Sequence, residues 1–531
     1  MVKRHQLQSI LSLVDNSTIF SIIIISTMTS LMFLTIPIAA QTLVNFIAFG
    51  HLVRPVVTLS IIVFTLIVCA GALSIWHTIL IEIIQQKLIV HVAFRLTRHF
   101  SNVSQTILAT QHGPELVNQF FEISSIMKSL SNLLMYGINT GLQIFFSLIL
   151  LVLYHPFFLL FDVFVILCLC LIIYIPYRTA QITAEEECSR KHAIAKWFDE
   201  ILLNRFLFKF RHYPDYVIEQ TDERLAGYLI ARNRHFKQII KHQIGFYGLG
   251  AIASSLLLGL GGYLVIINQL SLGQLVASEI IMSAILYALK QLSSLLEDYY
   301  DLTTSTQKID HILSLPLECA VPLPNEIVFF VQQLNYIHLA WSHPSRINAS
   351  PKKPLLIYSM QRERIQTMMT ALIGLVPDLS ENITLNGVQC TQPLLIALRQ
   401  QTILIQEPQW FAGTIYDNIA LNAHNVALET ILQHINTLGL TNKIMSFPEG
   451  LDTYVSHWKK QFTRSEITLI MILRAIIAKP LLIIIDQSLD DVDVPLLETV
   501  VALLLEIKKT TLIIATQRTD FPGISNRWTL S

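Results

Sequence analysis

Apolar residues follow two rhythms along the chain: long, nearly unbroken blocks as far as residue 292, then short β-branched runs from about residue 355 onward. A hydrocarbon core about 30 Å thick is crossed by about 20 apolar residues in a helix. Six stretches reach or approach that length, at residues 17–40, 55–84, 136–154, 156–177, 245–267 and 272–292. The third and fourth meet at residues 154–156, and only residues 268–271 part the fifth from the sixth, so both pairs read as tight hairpins. The long segments after the second and fourth spans keep apolar residues at helical spacing, as in Ile89, Val92, Ala93 and Leu96. The membrane helices are therefore expected to run on beyond the bilayer.

The rhythm changes after residues 316–324 (PLECAVPLP), whose three prolines suit a linker. Beyond it the runs at 355–358, 402–405, 481–485 and 511–515 alternate with helical stretches. Strands alternating with helices predict a parallel sheet wrapped by helices, and a continuous run such as LLIII suits a strand covered on both faces. The expected fold class is thus a membrane all-α six-helix domain (1–315) joined through the linker to an α/β domain (325–531).

Charge placement sets the orientation. Lys87, Arg95, Arg98 and Lys128 lie between the second and third spans, and a dense series from Arg178 to Lys241 lies between the fourth and fifth. The opposite loops hold little beyond Arg54. Lysine and arginine mark the cytoplasmic side, so both termini are expected inside. Lys3 and Arg4 precede the first apolar block as in a signal peptide, but no small-residue cleavage site follows and further spans do, so an uncleaved helix is expected.

A mean hydropathy of +0.53 fits a membrane protein. Zero net charge and the lack of a basic aromatic stripe argue against nucleic acid. The six cysteines are scattered, Cys168 and Cys170 inside an apolar run, and no CxxC or Cys/His spacing argues for a metal.

Several strings fall in a meaningful order. QEP (406–408) precedes GTIYDNI (413–419), and LRAIIAKPLLIIIDQSLDDVD spans 473–493. SLGQLVA (271–277) opens the last span, and YYDLTTSTQKIDHILSLP (299–316) closes the membrane domain. Together they resemble the half-unit of an ABC exporter of the type I secretion and peptide- or toxin-exporting kind, over nearly the whole chain. The resemblance implies a P-loop-type nucleotide-binding domain, with Gln406 in its Q-loop, Asp486 as the Walker B aspartate and Asp493 in the D-loop. It also implies an adenine-stacking aromatic near 336–341, with Trp341 as candidate. The final residue follows soon after the switch position, so the domain is expected to be shortened at its C-terminal side.

The reactive positions have changed. A GxxxxGK[ST] loop works because glycines let backbone N–H groups curl around phosphates, lysine meets their charge and Ser/Thr binds magnesium. Counting back from ALIGL (371–375), the corresponding stretch is 359–367, with Ser359 and Arg364 for the glycines, Ile365 for the lysine and Gln366 followed by Thr367 at the magnesium-ligand end. Losing the ammonium removes about 4 kcal/mol per charge pair at surface-like dielectric. Gln487 stands for the family's general-base glutamate, and an amide cannot take a proton from water. Gln517 stands for the switch histidine. The LSGGQ stretch becomes Phe462, Thr463, Arg464, Ser465 and Glu466, without its glycines. No catalytic residue is expected, and any ATP–magnesium binding is expected to be weak.

In the membrane, Asp162 and Glu279 stand out because an ionisable group there is costly. Glu279 is a substrate-pathway candidate, whereas Asp162, Glu82 and Lys290 lie near span ends and are expected to reach the interface. Residues 104–115 and 197–208 resemble the tips that dock on nucleotide domains, with Trp197, Phe198 and Phe206 as anchors or as helix packing. The implied assembly is a homodimer, or a heterodimer with an active half-transporter, in a bacterial inner membrane among lipids, with room for a periplasmic adaptor. Three functions stay open: a non-hydrolysing exporter subunit for a peptide, protein or amphiphile, a membrane scaffold or regulator that transports nothing, and a conventional homodimeric ATP-driven exporter.

Overall fold

The computed structural model describes residues 16–49, 53–104, 113–209, 214–318, 334–336, 349–351, 353–375, 383–385, 388–389, 391–421, 426–507 and 509–529. The chain forms two compact units that part in sequence at Pro316 and Leu317. Residues 319–324 of the expected linker and Trp341 lie outside the described residues.

The first unit is helical. It comprises α1 (Asn16–Phe33), α2 (Thr35–Phe49), α3 (Val53–Phe100), α4 (Gly113–Phe120), α5 (Glu122–Asn132), α6 (Ile138–Tyr154), α7 (Phe158–Leu203), α8 (Pro214–Ile266) and α9 (Leu272–Leu313). Among the described residues six helical stretches are long and apolar enough to cross a membrane, and the chain is a multi-pass membrane protein. At about 1.5 Å per residue, the 53 residues of α8 extend about 80 Å, far more than a bilayer core requires. The first span differs from expectation: it breaks after Phe33 and resumes as α2. Pro37 has no N–H to give the Phe33 carbonyl, so the ladder cannot continue through that turn. The third span starts earlier than residue 136, because a π turn at Leu133–Gly137 joins α5 to α6. The last hairpin turns at Asn268, whose φ of 59° suits a short polar side chain. Ser271 then caps α9, accepting from Gln274 N at 3.1 Å while its own N donates to Gln274 Oε1 at 2.8 Å.

The second unit is α/β. Strand β1 (Leu334–Tyr336) pairs antiparallel with β3 (Ile383–Leu385), which pairs with β4 (Val388–Gln389). The central strands are β2 (Leu355–Tyr358), β5 (Thr402–Ile405), β8 (Leu482–Asp486), β9 (Thr511–Thr516) and β10 (Arg527–Thr529). They form one parallel sheet in the order β10-β2-β9-β8-β5. A separate small pair joins β6 (Gly413–Thr414) to β7 (Tyr454–Val455). The helices are α10 (Arg362–Leu372), α11 (Gln392–Arg399), α12 (Ile415–Ala420), α13 (Leu428–Thr437), α14 (Thr441–Met445), α15 (Arg464–Ala478) and α16 (Val494–Leu505).

Alternate side chains of the central strands feed two cores. Ile483, Ile485 and Ile514 pack on one side, and Leu482, Ile484 and Ile513 on the other. All of β8 is buried, which is why its sequence is a continuous apolar run.

Candidate functional site

The carboxyl ends of β2, β5, β8 and β9 lie along one edge of the sheet, where α/β proteins bind ligands. The structure brings the expected positions Ser359, Gln406, Asp486, Gln487 and Gln517 to this edge. Ser359 N donates to Thr516 O at 3.4 Å, and Gln487 N to Ala515 O at 2.9 Å. Ser488 Oγ donates to Gln406 O at 2.7 Å, tying the end of β5 to the end of β8.

The stretch compared with a phosphate loop is mostly helix. Only Ser359, Met360 and Gln361 part β2 from α10, and none is glycine. Ser359 Oγ accepts from Gln361 N at 3.1 Å, so the short turn closes on itself. Ile365, at the lysine position, is 0% exposed and packs with Leu355, Ile357 and Leu372. Gln366 is exposed on the helix, while the side chains of Arg364 and Thr367 lie outside the described set.

Asp486 is 7% exposed at the end of β8, and its Oδ1 has no hydrogen-bond partner among the described residues. Burial pushes its carboxyl up to about 6, against the pull of nearby Arg362 and a hydrogen bond from Gln406. Gln487 follows with φ of 52°, a left-handed backbone uncommon for a long side chain, and its buried Nε2 is also unpartnered among the described residues. Asp490 was not singled out by sequence, yet it anchors the next loop. It accepts from Thr516 Oγ1, and from Gln517 N at 2.9 Å. Burial raises its carboxyl, opposed by those two bonds. Nothing in an acidic pair such as Asp490–Asp491 tells which member faces inward. Gln517 itself is exposed.

The stretch compared with LSGGQ opens α15. Phe462 is buried, packing its ring on Trp410 and Phe447. Thr463 and Glu466 form a closed capping box at the helix N-terminus. Arg464 Nε lies 3.1 Å from Asp491 Oδ2, and Ser465 Oγ donates to Asp491 O at 2.8 Å. Asp493 begins α16 without a side-chain cap bond, and is exposed. The Q-loop side is held by Arg474, which donates twice to Asn418 O at 2.8 and 3.0 Å.

In the helical unit, Glu279 is half-buried with Oε1 unpartnered among the described residues. A cavity of about 500 Å³ lies further along α9, lined by Phe246, Tyr247, Tyr287, Lys290, Ser293 and Glu297. Asp162 faces protein: it is 4% exposed, on the helix face that carries buried Phe158 and Val165. Its spacing from them on α7 turns it inward. Trp197 is buried in helix packing, its Nε1 donating to Thr221 Oγ1 at 2.9 Å with Arg224 over its ring, whereas Phe198 and Phe206 are exposed.

Six apolar spanning helices followed by this α/β domain define an ABC-exporter architecture. The fold matches the structure of a bacterial Atm1-family ABC exporter with ATP bound at a TM-score of 0.80, covering 97% of this chain and 94% of that one at 15% identity. The alpha-hemolysin translocation ATP-binding protein HlyB of Proteus vulgaris is 26% identical over 285 residues, 51% of this chain and 40% of that protein. The lactococcin-A transport/processing ATP-binding protein LcnC of Lactococcus lactis is 21% identical over 463 residues, 82% of this chain and 62% of that protein. The matched regions therefore span about half the length of these relatives. No family model matches the chain. Its relatives are ABC exporter half-units, and this chain is built as one: a transmembrane domain fused to an ABC-ATPase-type domain.

Proposed function

We propose that the chain is the non-hydrolysing half of an ABC exporter, paired in the bacterial inner membrane with an active half-transporter that drives export of a peptide, protein or amphiphile. The observation that carries this reading is the buried Ile365 behind a three-residue, glycine-free turn. The donor set at the strand edge does not fit magnesium and a triphosphate. No ammonium stands between Tyr358 and Leu372, and Gln487 offers no base. The Glu466 carboxylate sits at the helix end where a phosphate would need free N–H donors. The names of the relatives, which concern hemolysin translocation and lactococcin transport, support export as the direction and polypeptides as cargo. Basic residues crowd the segments that follow the second and fourth spans, which supports cytoplasmic termini.

The same capping box favours a second reading. ABC sites are composite, so the capping box at the start of α15 also leaves the partner's phosphate loop with fewer facing donors. A chain altered on both faces suits a scaffold or regulator. Co-purification with candidate half-transporters separates the two. A complex whose ATPase activity depends on the partner's own lysine supports the exporter subunit, whereas a nucleotide-free homodimer without partners supports the scaffold.

A further inference from the structure

Among the described residues, one cluster of ligating side chains lies apart from the sites above. Cys188 and His192 stand one turn apart on α7, and Glu122 is the first residue of α5. Their sulfur, nitrogen and oxygen ligand atoms all lie within 4.8 Å of one another. Glu122 is 6% exposed and Cys188 9%, and Cys188 is a free thiol. Glu122 Oε1 is 3.1 Å from His192 Nε2 and 2.9 Å from Lys191 Nζ. Its other oxygen accepts from Ser305 Oγ of α9 at 2.7 Å.

Sulfur, imidazole and carboxylate converging from two helices make the donor set of a zinc-class ion. Bonds of about 2.0–2.3 Å place tetrahedral ligands about 3.5 Å apart, so small side-chain adjustments would close this cluster on an ion. Ser305 holds the carboxylate from behind, as residues that orient metal ligands do. Lys191 is the natural competitor: its ammonium sits on the same carboxylate oxygen. Its side chain is 53% exposed, so it can swing into water without losing much packing.

We propose that Glu122, Cys188 and His192 bind a divalent zinc-class cation, which displaces Lys191 and clips α5 to α7. The site is independent of the nucleotide domain, so its test does not depend on the export reading.

Cobalt reports the ligands directly, because a thiolate bound to Co²⁺ adds a near-ultraviolet charge-transfer band. The full chain, purified in detergent and stripped of metal, is titrated with Co²⁺ alone. One Co²⁺ per chain with a thiolate band, bleached by added Zn²⁺, is expected. Cys188→Ser should abolish the band, and His192→Gln should weaken binding at least about 10-fold. Ser305→Ala should weaken it about 10–100-fold, which keeps the test available if Cys188→Ser fails to fold. Lys191→Met should tighten binding, an effect opposite in sign to the other changes. The proposal is overturned if saturating Co²⁺ gives no thiolate band, if the band survives in folded Cys188→Ser, or if Lys191→Met leaves affinity unchanged or weaker.

Discussion

Thr463 and Glu466 cap each other: Thr463 N donates to Glu466 Oε2 at 2.7 Å, and Glu466 N donates to Thr463 Oγ1 at 3.2 Å. The pair satisfies two of the N–H groups at the start of α15, those of Thr463 and Glu466, from within the chain. The relationship carries a functional meaning because this helix end is where an ABC partner would present its nucleotide. Thr463→Ala should therefore lower stability by about 1 kcal/mol. In a domain of this size that is a fall of about 2–4 °C in the melting midpoint of the full chain in detergent. A fall in the midpoint, with ATP–magnesium binding absent before and after the change, is the expected result.

Ile365 gives a sharper case. Were the site merely missing its lysine, Ile365→Lys would restore nucleotide binding. Ile365 is fully enclosed, however, so an ammonium there would be buried without a partner. Ile365→Lys should cost several kcal/mol and yield little folded protein, whereas Ile365→Leu should cost less than about 1.5 kcal/mol. Expression with thermal melting distinguishes the two.

The Asp486 carboxyl predicts a pH dependence. Its value is raised to about 6 from an ordinary 3.8, so the folded chain binds a proton more tightly than the unfolded one. Between those values stability falls as pH rises, and the loss is complete above about pH 6. At neutral pH the ionised group therefore costs at most about 3 kcal/mol. Asp486→Asn should raise the melting midpoint at pH 7.5 and make no difference near pH 4. In a working nucleotide site the same change would remove a magnesium ligand and a function, whereas here it should stabilise.

The topology is tested by labelling. Gln269→Cys in the last hairpin should react with a membrane-impermeant maleimide in cells with a permeable outer layer, while a cysteine at Arg234 should react only after lysis. The reverse pattern would refute the cytoplasmic assignment of the basic segments.

Six membrane helices and a parallel α/β domain were legible because each rests on a strong periodic signal. The run LLIII announced a doubly covered strand, and β8 is one. The break at Phe33 was less visible, because Pro37 acts on a carbonyl four residues earlier while the apolar composition continues unchanged. The inward turn of Asp162 was hidden for another reason: position along a span says nothing of which way a helix face turns. The convergence of Glu122, Cys188 and His192 was illegible, since Cys188 and His192 look ordinary on a long basic helix and Glu122 comes from another helix. At the edge of the parallel sheet, sequence named Ile365 and Glu466 but not what their side chains do. That Ile365 fills a core and Glu466 closes a helix follows from packing alone.

Nucleotide binding and hydrolysis by the purified full chain, without a partner, test the central claim most directly. No ATP turnover and no saturable ATP–magnesium binding at millimolar nucleotide are expected, in the native chain and in Asp486→Ala alike. Turnover by the chain alone that disappears in Asp486→Ala would contradict that claim.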